Sequence, residues 1–234
     1  MNAVAETLAA ARARVARSGG PNRFVEALEA GRVPRERLGW LAGELSGLVE
    51  SDRRAFALLA SRFPAGPAGE LYLAMAQGEG EALALLGEFT AALGPDGRDL
   101  SAYEPRPLAQ AYPAYLTRCA LYGARADVAL ALLVNAPGSG EVYRRVARAL
   151  AERYGFEEKA LGHFLYFAET PPELLDLASR ALAAGLAGGD DPVAAVRCAW
   201  TVHALEEAFW GCLAEGLDDG TDGPRSSTIQ GDGQ

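Results

Sequence analysis

Glu206 is the side chain best placed by its surroundings to do chemistry. It lies in Ala199-Trp200-Thr201-Val202-His203-Ala204-Leu205-Glu206-Glu207-Ala208-Phe209-Trp210-Gly211. At roughly 100° per residue, the helical period, Ala195, Ala199, Val202, His203, Phe209, Trp210, Leu213 and Leu217 share one arc, and Glu206 points into the middle of it. Arg197, Thr201, Ala204, Ala208, Gly211 and Glu215 form the opposite face, which the pattern assigns to solvent. A carboxylate inside an apolar arc must find a partner, take up a proton or face a wet pocket. With its pKa raised toward neutrality it becomes a general acid or base. Hydrogen-bonded to a buried tyrosine or to backbone, it is only structural, and spacing alone leaves both readings open.

Two further acids fall on the apolar side of a second long helix. Asp52 shares an arc with Leu41, Leu45, Leu48, Phe56 and Leu59, and Glu44 sits at its border. An ion pair with Arg37, Arg53 or Arg54 is the plain account of Glu44, while Asp52 fits either an ion pair or a site. The only histidines are His163 and His203. His203 and Glu207 stand one helical turn apart, yet a di-iron bundle site wants Glu-x-x-His pairs from several helices. Here the order is His203-x-x-Glu206, and His163 has no partner at a suitable spacing, so neither a metal site nor a haem ligand is indicated and no cofactor is expected. Tyr112 and Tyr115 lie on one helical face, a pattern common in cores. Asn135 borders Ala136-Pro137-Gly138-Ser139-Gly140, where a proline and two glycines predict a broken or sharply kinked helix with freed backbone groups.

The elements that must position these residues are all helical. Ala, Leu, Glu and Arg dominate long segments, β-branched residues are sparse, and no alternating run persists. Helices are expected over 2–18, 24–30, 34–63, 69–93, 108–121, 127–135, 141–154, 157–168, 172–186 and 192–217, with 96–107 a loop. Residues 218–234 are rich in Gly, Ser and Asp without apolar periodicity and read as a disordered tail. There is no internal repeat or linker, so residues 1–217 form one all-α, single-domain helical bundle.

Composition narrows the function. Half of the 234 residues are hydrophobic, and the formal net charge of −9 argues against nucleic acid or an anionic membrane as partner. No apolar run approaches the roughly 20 residues of a membrane span, and the first helix is charged and Ala-rich, unlike a signal peptide. Cys119, Cys198 and Cys212 are odd in number and lack CxxC spacing, so each reads as a small buried hydrophobe and the compartment as cytoplasmic. GxSxG, phosphate-loop, Rossmann and HExxH motifs are absent.

Several segments together resemble the TenA/thiaminase II family of the haem-oxygenase-like superfamily, over most of residues 22–215. They are Phe24-Val25-Glu26-Ala27-Leu28 before Gly31, Ala76-Gln77-Gly78 followed by Glu81-Ala82, Tyr112, the Gly123–Leu133 segment, Glu141-Val142, and above all Glu206-x-x-Phe209-Trp210-Gly211. The resemblance implies a haem-oxygenase-like bundle and hydrolysis of a C–N bond in thiamin-type or aminopyrimidine substrates. It places the family's glutamate on Glu206, a flanking aromatic on Phe209 and a pocket tyrosine on Tyr112. The nucleophilic cysteine falls on Asn135, the pyrimidine-binding aspartate on Leu45 beside Glu44, and the tyrosine after it on Leu48. A further pocket tyrosine becomes Ser139, and another falls at Tyr166 or Phe167.

The departures decide the expectation. An amide cannot act as a thiolate does, and leucine cannot accept the hydrogen bonds of an aminopyrimidine. The sequence therefore predicts a TenA-like enzyme of altered specificity, acting on a C–N bond of a small heterocycle or amine, with Glu206 as general acid/base and Tyr112 and Asn135 as orienting groups. A non-catalytic ligand-binding or regulatory protein on the same scaffold is the competing reading, and a metal-dependent oxidase a third, disfavoured by the ligand count. Apolar residues on more than one helical face, and the habit of the family, suggest a homo-oligomer.

Overall fold

The computed structural model describes residues 3–17, 19–94 and 100–217; the expected tail at 218–234 lies outside them. Among the described residues there are nine α-helices and no strand: α1 (Ala3–Val15), α2 (Arg23–Glu29), α3 (Arg35–Arg62), α4 (Gly66–Ala92), α5 (Ala111–Tyr122), α6 (Arg125–Tyr154), α7 (Gly162–Ala168), α8 (Pro172–Ala187) and α9 (Pro192–Leu213). Short 3-10 turns occupy Leu100–Ala102 and Glu158–Leu161.

Local chemistry sets several helix ends. The Asn22 side chain accepts from the Val25 amide at the start of α2, and Asp191 accepts from the Val193 amide at the start of α9, where Pro192 occupies the first turn. Gly155, at φ +71°, closes α6 in the left-handed conformation that glycine adopts without strain.

The long helices α3 and α4 are joined by residues 63–65 alone and fold back on each other as an antiparallel pair. Helices α6 and α9 pack together; α5 bridges α3 and α9, and α8 lies against α4 and α6. Helix α1 covers part of α9, with the Arg14 guanidinium 4.2 Å from the centre of the Trp200 ring. Thr201, Ala204 and Ala208, assigned to solvent by the sequence pattern, are half-buried, on a helix against which both α1 and α5 pack.

The apolar interior divides into two clusters. One gathers Phe24, Leu41, Leu45, Phe89, Tyr143, Phe164 and Trp210; the other gathers Phe56, Tyr72, Leu116, Leu130, Leu182 and Val202. Polar groups concentrate between them, near the middle of the four longest helices: Asp52 on α3, Glu79 on α4, Asn135 and Ser139 on α6, and Glu206 on α9.

The expected break at 136–140 is not there: α6 runs unbroken from Arg125 to Tyr154 with Pro137 inside it. Packing on both flanks outweighs the local propensity. The Asn135 side-chain amide donates to the Ala131 carbonyl at 3.0 Å and to the Ala199 carbonyl of α9 at 3.1 Å. Gly140 has a different reason to be glycine, since a Cβ there would stand 2.8 Å from the Ala168 carbonyl oxygen.

Candidate active site

Between the two core clusters lies a chamber of 160 Å³, enclosed chiefly by α3, α4, α5, α6 and α9. Three carboxylic acids line it, Asp52, Glu79 and Glu206, together with Tyr112, Asn135, Ser139 and Tyr143, and its apolar wall includes Phe56, Met75, Phe167, Phe209 and Trp210. A second, outer cavity of 530 Å³ opens between the segment 19–23, α6 and α9, and also touches His203 and Glu207. Asn135, Ser139, Glu206 and Trp210 line both, so these four side chains form the partition between inner chamber and outer cavity.

At the partition, burial raises Glu206 to about 6, with neighbouring Glu207 pushing the same way, while a hydrogen bond from Ser139 opposes the shift by favouring the ionised form. Asp52 is only 3% exposed and its Oδ1 has no partner. Burial, and then the charges of Glu79 and Glu206, raise it well above the usual carboxylate range, against a hydrogen bond from Tyr112. Burial lifts Glu79 to about 8, and its Oε2 is likewise buried and unpartnered. Burial foremost, and then the nearby acids, hold Tyr112 and Tyr143 firmly protonated.

The orientation of Asn135 follows from its neighbours. Backbone carbonyls only accept, so the NH2 must face Ala131 and Ala199, and Oδ1 is left buried without a partner. Asn135 offers the chamber an acceptor and no nucleophile.

Of the residues picked out in the sequence, Glu206, Tyr112, Asn135, Ser139, Leu48, Phe167 and Phe209 line the chamber together, and Asp52 joins them. Glu44, Leu45 and Tyr166 do not. Leu45 is sealed in the core. Tyr166 is exposed beside α4, where its hydroxyl donates to Glu81. Glu44 is fully buried but turned away, accepting from the Tyr103 hydroxyl at 2.7 Å, the Arg106 amide at 2.8 Å and Gln110 Nε2 at 3.1 Å. Its ionic partner is Arg106, not Arg37, Arg53 or Arg54.

Glu79 and Tyr143 are the titratable chamber residues that the sequence reading missed. For Glu79 a signal exists: Tyr72, Met75, Glu79, Ala82 and Leu86 recur at helical spacing, an acid in an apolar stripe. The flanking Gly78, Gly80 and Glu81 disguise it as a solvent face.

The histidines lie outside the chamber. His163 is fully buried, its Nδ1 donating to the Ala82 carbonyl at 2.9 Å, and burial pushes it down to about 4, so it is neutral. His203 lies on the outer cavity with its Nε2 3.6 Å from Glu207 Oε1, beyond hydrogen-bond distance. Among the described residues no three His, Cys, Asp or Glu side chains are grouped to hold a metal ion. No described helix is long and apolar enough to cross a membrane.

Residues 23–184 match the model of the TENA/THI-4/PQQC family. The chain belongs to that family. Similar solved structures include a domain of unknown function with a heme oxygenase-like fold from Shewanella denitrificans OS217, at 13% identity, 89% of each chain covered and a TM-score of 0.67. A TenA family transcription regulator from Silicibacter sp. TM1040 aligns at 23% identity over 91% of this chain and 95% of its own, with a TM-score of 0.59. A TenA homologue from P. horikoshii OT3 aligns at 19% identity over 90% and 97%, with a TM-score of 0.60. At such identities the likeness is one of fold, and the all-α bundle is haem-oxygenase-like, as the resemblance implied. No curated protein matches. The family match ends before α9, so Glu206 lies beyond it.

The raised acids make stability depend on pH in a definite direction. A folded pKa above the unfolded one means that the native state binds more protons, so the stabilisation is complete below the ordinary carboxylate range and is lost as pH rises through the folded value. For Glu79 that loss runs from about 4.5 to about 8. His163 acts oppositely, but its contribution is complete above its ordinary 6.5. Between pH 6.5 and 8 the remaining decline is therefore expected from Glu79 and Asp52. Melting temperatures across that window should fall for the native chain and fall less for Glu79→Gln, which is expected to be more stable at pH 8 by about 1–2 kcal/mol. Parallel curves for the two proteins would contradict this.

Proposed function

We propose that this TENA/THI-4/PQQC-family protein is a cytoplasmic small-molecule enzyme of altered specificity that hydrolyses a C–N bond in a small heterocyclic or amine substrate. Glu206 acts as general base and then acid: it takes a proton from water, the water oxygen bonds to carbon, the C–N bond breaks, and the proton passes to the departing nitrogen. Tyr112 and Asn135 orient the substrate. The observation that carries this reading is the place of Glu206, at the partition between chamber and outer cavity with its pKa near 6, where an ionised carboxylate persists at neutral pH without full solvation. A thiaminase reaction is not proposed, because Asn135 stands at the nucleophile's position and its amide nitrogen is committed to two carbonyls. Self-association belongs to the same reading, supported by large apolar side chains left exposed at the end of α5, Leu121 and Tyr122.

The fixed, unreactive Asn135 also favours a second reading, a non-catalytic ligand-binding or regulatory protein. Incubation with small amines and amino-heterocycles in 18O-labelled water separates the two. Mass spectrometry should find a product that has lost an amine fragment and gained the label, and should not find it with Glu206→Gln. Ligands that stabilise the protein but return unchanged from every incubation would favour the second reading.

A further inference from the structure

The inner chamber holds more than the hydrolytic reading uses. Besides Glu206 it contains three buried acceptor atoms without partners: Asp52 Oδ1, Glu79 Oε2 and Asn135 Oδ1. No Lys, Arg or His lines it. We infer that the inner chamber binds a small primary ammonium ion, whose three N–H donors meet Asp52 Oδ1, Glu79 Oε2 and Asn135 Oδ1. This deepens the proposed function by naming the substrate's charged group, and it rests on the reading that the chamber holds a small ligand.

The match is one of kind as well as number. An ammonium has three donors and no acceptor, and the chamber offers it acceptors whose own partners are missing. Unsatisfied buried acceptors are costly, so a donor-only guest that meets them relieves that cost. Charge agrees: two acids held protonated by burial, with nothing basic between them, become ionised most readily when a cation arrives. The wall agrees too, because Phe56, Tyr143, Phe167 and Trp210 present aromatic surface to an alkylammonium. A volume of 160 Å³ is close to that of a cavity that takes up benzene, about 150 Å³, enough for an alkyl chain of a few carbons and too small for a drug-sized ligand.

Binding should release a proton from the Asp52–Glu79 pair to solvent. The other titratable groups facing the chamber do not supply it: Tyr112 from α5 and Tyr143 from α6 stay protonated, and Glu206 from α9 is already ionised above about 6. Affinity for an ammonium should therefore rise from pH 6 to pH 8.

Calorimetric titration of the full chain with n-butylammonium chloride, against 1-butanol as the neutral analogue of the same shape, tests the inference. At pH 8 the amine is expected to bind at least tenfold more tightly than the alcohol, with a heat that varies with the buffer because a proton is released. Asp52→Asn and Glu79→Gln should each weaken the amine at least tenfold while leaving the alcohol unchanged. Both substitutions remove a buried acid, and melting curves verify that the variants are folded. Equal binding of amine and alcohol, or unweakened amine binding by both folded variants, overturns the inference. Amine binding with no turnover of any amine overturns the hydrolytic reading and leaves this one standing; turnover of an uncharged substrate without butylammonium binding does the reverse.

Discussion

Replacing Glu206 with glutamine is expected to lower kcat by 10²–10⁴ on whatever substrate the chamber accepts, with little change in KM, the range that general acid–base groups supply. Glutamine keeps the shape of the side chain and an oxygen able to accept from Ser139, so the partition between the cavities should persist. It cannot take a proton from water. The pH profile provides the sharper readout. A base must be ionised to act, so turnover by the native enzyme should climb to a plateau through about pH 6, the value to which burial raises this carboxyl. That limb should vanish from the residual activity of the variant. Ser139→Ala supplies the companion measurement: its hydrogen bond favours the ionised form, so losing it should move the limb to higher pH while the plateau survives. A native profile flat across pH 5–7, or full turnover by Glu206→Gln, would remove Glu206 from the chemistry.

The acids of the chamber connect this mechanism to stability. Asp52 and Glu79 lie on the antiparallel pair α3 and α4, and both are held above the ordinary carboxylate range by burial before any ligand enters. Apolar residues in their place would pack the gap between the two core clusters and raise stability. Retaining acids there costs the fold something, and strain of that kind is characteristic of sites. The same cost makes the chamber selective, since only a guest that stabilises ionised carboxylates recovers it.

Much of this arrangement was legible in the sequence, and the exceptions are instructive. Periodicity identified Glu206 and Asp52 because each interrupts an apolar arc within a long helix, a pattern that depends on one helix alone. Glu79 obeys the same rule, yet its glycine and acid neighbours have the composition of a surface. The unbroken course of α6 was illegible for another reason. Proline and glycine preferences at 136–140 are local, whereas the ties that flank this stretch come from α9, through the Ala199 carbonyl that accepts from Asn135, and from the end of α7, through the Ala168 carbonyl that accepts from Arg144. Glu44 shows the same limit in side-chain form. Its arc was visible, but its partner lies 62 residues along the chain, and spacing within α3 pointed only to arginines nearby.

That partner makes Glu44 the site of the largest expected loss of stability. Glu44→Ala should destabilise the chain by about 3–5 kcal/mol in urea unfolding, the usual result of removing one member of a buried ion pair. The carboxylate is fully buried and satisfies three donors at once, the Tyr103 hydroxyl, the Arg106 amide and Gln110 Nε2. Truncation strips all three of their acceptor and leaves the Arg106 guanidinium, which lies 3.4 Å from the centre of the Trp40 ring, without its carboxylate. The segment from Tyr103 to Gln110 is tied to α3 by these bonds and by the Tyr103 ring on Gly43, where no Cβ would fit. Helix α5 begins at Ala111, directly after that segment, and carries Tyr112 into the chamber. Backbone amides of 103–110 should therefore exchange faster in the variant, and the Tyr112–Asp52 hydrogen bond should weaken as a consequence. Glu44→Gln retains one acceptor and should cost less than half as much. The contrast with a binding role is direct: a Glu44→Ala protein as stable as the native chain but poorer at binding ligand would return this acid to the site, whereas loss of stability with ligand affinity preserved at low temperature fixes it as the anchor of α5.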